Sequence, residues 1–191
     1  MMEEADGFET KPNMNWRLPP GLKVKLARVK LLLCDVDGVL TDASVFIGGA
    51  GEIKRFNILD GLGLVILRRS GIKVGWVSSR PSDATAARAL ELKIDYVLQQ
   101  KESKVGVIER LLLETHCSWE EVCYVGDDVV DIGPLKRAGC GIAVSNAVSE
   151  AKAVADHVTS AAGGYGAVRE IVELILRAQG KWDNIIAEYS A

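Results

Sequence analysis

Apolar residues follow two rhythms along this chain. Short runs, "LLLC" (31–34), "KVGWVSS" (73–79), "IDYVL" (94–98), "EVCYVG" (121–126), "GIAVS" (141–145) and "HVT" (157–159), lack the strict alternation of a half-exposed sheet. They suit strands covered on both faces. Between them, apolar positions recur at helical spacing in "GLGLVILRRSG" (61–71), in "SDATAARALELK" (82–93) with Ser82 as its cap, and in "ESKVGVIERLLLET" (102–115). "VDIGPLKRAG" (130–139), "AVSEAKAVA" (147–155) and "YGAVREIVELILRAQG" (165–180) continue the series, the last predicted to be the longest helix. The alternation predicts an α/β protein: a Rossmann-like parallel sheet with helices on both faces and right-handed crossovers.

One segment breaks the rhythm. "ASVFIGGAGEIKRFNI" (43–58) has two β-leaning runs around a Gly-rich turn, which predicts a β-hairpin inserted directly after the first strand. Val45, Phe46, Ile47, Ile53 and Phe56 are too apolar to leave in water. The other gaps between strands hold one helix each, leaving no room for a separate cap domain. The chain therefore divides into an N-terminal arm (1–22, rich in Pro and polar residues), one domain (23–183) and a short C-terminal tail (184–191).

At 191 residues with a net charge of −3, the chain can bury a full core and shows no broad basic face for nucleic acid or an anionic membrane. No apolar run reaches the roughly 18 residues of a membrane span. The N-terminus has neither the basic start nor the apolar stretch of a signal peptide. The four cysteines form no CxxC pair, and Cys34 and Cys123 sit in apolar runs as small hydrophobes. The expected setting is the reducing cytoplasm and the expected partner a small molecule.

Polar residues collect where strands end. Asp35 and Asp37 follow the first, Ser78, Ser79 and Arg80 the second, and Asp127, Asp128 and Asp131 follow "YVG"; Lys104 opens the helix after the third strand. Carboxyl ends of a parallel sheet converge on one crevice. Two aspartates separated only by Val36 repel unless a cation lies between them. Magnesium takes oxygen ligands, which Asp35, Asp127 and the Asp37 main-chain carbonyl can supply. An aspartate can attack phosphorus, a second carboxyl can shuttle protons, and a hydroxyl and a lysine can hold phosphate oxygens. Asp35, Asp37, Ser78 and Lys104 fit these roles in turn. Taken singly, Asp127 or Asp128 reads as easily as a helix cap, and Lys104 as a surface residue.

"DVDGVLTD", "VSSR", "ESK" and "YVGDDVVD", in this order, resemble the motifs of the haloacid dehalogenase superfamily of phosphohydrolases. "GEIKRFNILDGLGL", "GGYGAVRE" and "LRAQGKWD" extend the resemblance to the 3-deoxy-D-manno-octulosonate 8-phosphate phosphatases, over residues 30 to 183. The resemblance implies magnesium, a capless Rossmann-like domain and a homotetramer. It implies Asp35 as nucleophile, Asp37 as general acid and base, Ser78 and Lys104 as phosphate ligands, and Asp127 as third metal ligand. Gly38 and Arg80 fall on matching positions, and Asp128 and Asp131 on nearby acidic ones; Gly38, Ser79, Arg80 and Asp128 are expected to touch the substrate, and Asp131 to stand behind the ligands.

Leu59 and Tyr165 stand where that family usually carries cations, and Ser79 where it often carries Gly. A sugar acid's carboxylate favours Arg, so these changes bear on substrate choice more than on phosphate chemistry. Lys54, Arg55, Arg80 and Arg169 remain as cations for the substrate, against solvated charge for Lys54 and Arg55 and helix-face pairing for Arg169. The substrate implied is 3-deoxy-D-manno-octulosonate 8-phosphate, with a nine-carbon sugar acid 9-phosphate as runner-up. A phospho-receiver switch fits poorly, because "YVLQQ" carries no acid where a receiver's third strand ends in its phosphorylated Asp. A non-catalytic assembly protein would gain nothing from crowded acids at a dry strand end.

Overall fold

The computed structural model describes residues 18–49 and 51–190. Six strands, β1 (Leu31–Cys34), β4 (Lys73–Ser78), β5 (Tyr96–Gln99), β6 (Val122–Gly126), β7 (Cys140–Ala143) and β8 (His157–Val158), form one parallel sheet ordered β5-β4-β1-β6-β7-β8. Counted within the sheet this is the doubly wound 3-2-1-4-5-6 order. The chain reverses direction beside β1, so the ligand crevice opens at that strand's carboxyl end. Every residue of β1, β6 and β7 is buried, which explains runs without alternation.

Helices cover both faces. α2 (Ile58–Arg69) packs on α3 (Asp83–Leu92) and α7 (Ala167–Ala178), and α7 on α1 (Pro20–Ala27). α5 (Ile132–Arg137) packs on α4 (Lys104–Thr115) and α6 (Ser149–Val154). Residues 1–17 of the predicted N-terminal arm lie outside the described residues, but its last three positions belong to α1, whose Leu22 is buried. Pro20 at the first helical position is preset for a helix start, so proline marks an element there. Residues 184–189 of the predicted tail belong to α8 (Trp182–Tyr189), anchored by buried Trp182. α2 starts three residues before its predicted onset because the Asn57 side chain accepts from the Leu59 and Asp60 amides. α7 is not the longest helix: it spans 12 residues, as do α2 and α4.

The α7 N-terminus depends on another helix. Its N-cap, Gly166, offers no side chain, and buried Asp60 of α2 accepts instead from the Gly166 and Arg169 amides at 3.2 and 2.7 Å. Burial pushes the Asp60 carboxyl up, against these hydrogen bonds. Asp60→Ala should therefore lower stability by about 1–2 kcal/mol, as lost caps do, read from urea melts. Asp60→Asn, which keeps an acceptor, should cost less.

The hairpin is present as β2 (Phe46–Gly48) and β3 (Gly51–Ile53), antiparallel and outside the main sheet. No further domain is inserted among the described residues. Of its apolar residues, Phe56 leaves water by stacking on Trp76, at 5.9 Å between centroids. Phe46, Ile47 and Ile53 stay exposed in the single chain, Ile47 at 84%.

Candidate active site at the carboxyl ends of the sheet

The acids that follow β1 and β6 meet. Oxygens of Asp35, Asp127 and Asp131 all lie within 4.8 Å of one another. Lys104, first residue of α4, enters from the neighbouring crossover, with Nζ 2.7 Å from Asp35 Oδ1 and 2.6 Å from Asp131 Oδ1. Buried Tyr124 also donates to Asp131 Oδ1, at 2.5 Å. Asp131 Oδ2 accepts from the Asp127 and Asp128 amides at 3.0 and 3.2 Å. Asp131, expected behind the ligands, thus stands fully buried within the cluster and fixes the loop that presents Asp127.

The charges do not balance. Burial pushes the Asp35 carboxyl up to about 6, Lys104 working against it. Burial, then the charge of Asp35, pushes Asp127 up to about 8. Burial alone would lower Lys104, but Asp35 and Asp131 outweigh it and raise its pKa. Asp127 Oδ1 is buried without a hydrogen-bond partner. Three carboxylates, one ammonium and an orphaned oxygen fit a hard divalent cation such as magnesium, which takes all-oxygen ligands.

The loop after β1 is shaped to bring these groups together. Thr41 Oγ1 accepts from the Gly38 and Ala43 amides, each at 3.3 Å. Gly38 has φ +103°, and a Cβ on it would overlap the Asp127 carboxylate. Gly163, from the "GGYG" loop, sits so close to the Gly38 carbonyl that a Cβ there would overlap it as well.

The remaining predicted residues divide. Ser78 is buried at the β4 end, its hydroxyl donating to the Arg80 carbonyl and accepting from its amide, both at 3.0 Å. Ser79 is exposed, and Arg80 pairs with Glu52 of β3. Lys54 is not solvated: its side chain is 0% exposed and its Nζ lies 2.7 Å from Asp37 Oδ1. It meets Asp37 instead of standing free in the crevice. Asp128 is exposed and accepts from the Val129 amide at 2.6 Å, a turn-capping role in place of the expected substrate contact. Arg169 bonds Glu173 at 2.7 Å and lies over Trp182, which is the helix-face pairing and not a substrate contact. Arg55 bonds Asp42 and stacks on Tyr165, 4.4 Å from the ring centroid.

Thr41, Glu52, Asp60 and Tyr124 were not legible as site-building residues. Asp60 lies just before the predicted helix of 61–71, with nothing local to link it to α7, and Tyr124 falls in an apolar strand run. Glu52 accepts from Ser82 at 2.6 Å and so ties the hairpin to the loop after β4, a contact between segments 30 residues apart.

A converging acid cluster with a buried lysine at a doubly wound switch point defines a hydrolase site of the phosphoryl-transfer type. The family model of haloacid dehalogenase-like hydrolases matches residues 70–171, and the chain belongs to that family. It is 38% identical over 158 residues, 82% of this chain and 84% of the relative, to the 3-deoxy-D-manno-octulosonate 8-phosphate phosphatase of Yersinia pestis. A Moraxella catarrhalis phosphatase of that name, solved with magnesium, phosphate and KDO, superposes with a TM-score of 0.86 at 37% identity, over 88% of this chain and 97% of the other. The cobalt-bound Haemophilus influenzae enzyme gives 0.79 at 38%, over 82% and 92%.

Proposed function

We propose that this chain is a magnesium-dependent phosphatase that releases phosphate from 3-deoxy-D-manno-octulosonate 8-phosphate. The observation that carries it is the buried Asp35–Lys104–Asp131 arrangement with Asp127 beside it, in a chain whose fold is shared along nearly its whole length with the KDO-bound Moraxella catarrhalis phosphatase. Asp35, Asp127 and the Asp37 main chain would hold the metal. When bound it neutralises the carboxylates and the phosphate oxygens.

Asp35 attacks phosphorus and forms an acyl phosphate, while Asp37 protonates the leaving sugar oxygen and then takes a proton from the water that hydrolyses the intermediate. Lys104 and the Ser78 hydroxyl draw off charge from the transferring phosphoryl group, and Gly38 leaves room for Asp127 beside it.

With no inserted domain over the crevice among the described residues, a second subunit is the means of excluding water. The exposed Phe46, Ile47 and Ile53 supply an apolar surface for neighbouring subunits, and the homotetramer we propose gathers the hairpins of several subunits. The four free cysteines favour a reducing cytoplasm, and no described helix is long and apolar enough to cross a membrane.

The test is a screen of purified protein against phosphorylated sugar acids with magnesium and with EDTA. Highest kcat/KM for the eight-carbon 8-phosphate, abolished by EDTA, is expected. Preference for a nine-carbon sugar acid 9-phosphate would move the assignment to the runner-up, where exposed Leu59 and Tyr165 replace the usual cations.

A further inference from the structure

We propose that Lys54 is a positioning residue for the proton shuttle: it holds Asp37 Oδ1 so that Oδ2 is left to exchange a proton with the leaving oxygen. The inference rests on the phosphatase reading of the site but not on the identity of the sugar.

Lys54 follows β3 directly, at the base of a hairpin that otherwise faces water. A lysine in such a place can keep its ammonium solvated at no cost. Here it is instead fully buried, its Nζ between Asp37 Oδ1 at 2.7 Å, Glu52 Oε1 at 3.6 Å and Thr85 Oγ1, which accepts at 3.2 Å. Burying an ammonium is expensive unless its partners are fixed, and these partners are. Glu52 is held by Arg80 and by Ser82, and buried Thr85 is part of α3.

Asp37 has no comparable restraint of its own. Its Oδ1 is buried and makes no aligned hydrogen bond, so the close ammonium is what anchors that oxygen. The side chain is 25% exposed although Oδ1 is not, so its accessible part lies away from Lys54. In the reaction the Asp37 Oδ2–H bond breaks as the leaving P–O bond breaks. The proton moves to the leaving oxygen, which keeps the bonding pair, and Lys54 transfers nothing. Without Lys54 the carboxyl can rotate, and a small misplacement is enough to lose proton transfer worth roughly 10²–10⁴ in rate.

The readout is dependence on the leaving group. Full-length wild type and Lys54→Met are compared with magnesium on substituted phenyl phosphates, from nitrophenyl, whose leaving oxygen needs little protonation, to unsubstituted phenyl, which needs it. Lys54→Met should lose about 10²-fold in kcat on the phenyl ester, with a smaller loss on nitrophenyl phosphate and little change in KM. Equal loss across the series would make Lys54 merely structural and overturn the proposal, as would no loss. Thr85→Val, close in shape and still able to fold should Lys54→Met fail to, should tilt the series the same way by a smaller factor; an untilted series overturns the proposal. Since no sugar enters the series, a wrong sugar assignment would appear only in the screen above.

Discussion

Replacing Asp35 by Asn should abolish phosphate release while leaving the protein folded. The amide oxygen cannot form the acyl phosphate, and loss of a covalent nucleophile typically costs on the order of 10⁴–10⁶ in kcat. The fold should tolerate the change, because Asp35 is crowded by Asp127 and Asp131 and shares Lys104 with Asp131. Without metal, its carboxyl titrates near 6 in the folded protein, against about 4 in the unfolded chain. The folded state then binds the extra proton, so stability falls as pH rises from about 4 to about 6. In EDTA, Asp35→Asn should remove that fall and melt no lower than wild type at neutral pH. Phosphate assays paired with thermal melts across pH check both halves, and retained turnover would assign the nucleophile elsewhere.

Lys104→Met should damage stability and turnover together. Lys104 is the cation that meets both Asp35 and Asp131, and its side chain is only 4% exposed. Removing one partner of a buried ion pair strands the other charge, at a cost of about 3–5 kcal/mol. That is a large part of a typical domain's 5–15 kcal/mol. Turnover should fall at least about 10²-fold, since the ammonium also faces the oxygens where charge gathers. Asp131→Asn added to Lys104→Met should recover part of the stability, as contacting residues couple, but not the turnover. Urea melts of the two single variants and the double variant give the coupling, and strictly additive losses would contradict the shared-cation geometry.

The two rhythms of apolar residues were enough to place the six parallel strands and the helices between them, because buried strands and amphipathic helices write their burial into local composition. The strand-end acids were legible for a related reason. "DVDG" and "YVGDD" combine a dry run with charges that no core tolerates, so a crevice at the strand ends follows from their cost, with a divalent cation as its simplest remedy. Boundaries were less legible. Asn57 starts α2 early and Pro20 starts α1 inside the supposed arm, because a cap or a proline acts on one or two residues where the periodicity is silent.

Charged residues show the sharper division. Lys54 and Arg169 read alike as cations open to the substrate, yet one is buried against Asp37 and the other is bound to Glu173 and Trp182. Asp131 and Asp128 are three residues apart in one acidic run, yet one is sealed beneath Lys104 and the other caps a turn in solvent. The sequence by itself determined the sheet, its hairpin insertion and the identity of the strand-end acids, since burial cost is local and leaves a mark on neighbouring residues. Only the tertiary structure decided which oxygen each cation meets and which helix Asp60 caps, because those pairings join segments tens of residues apart and depend on ångström distances that no spacing along the chain encodes.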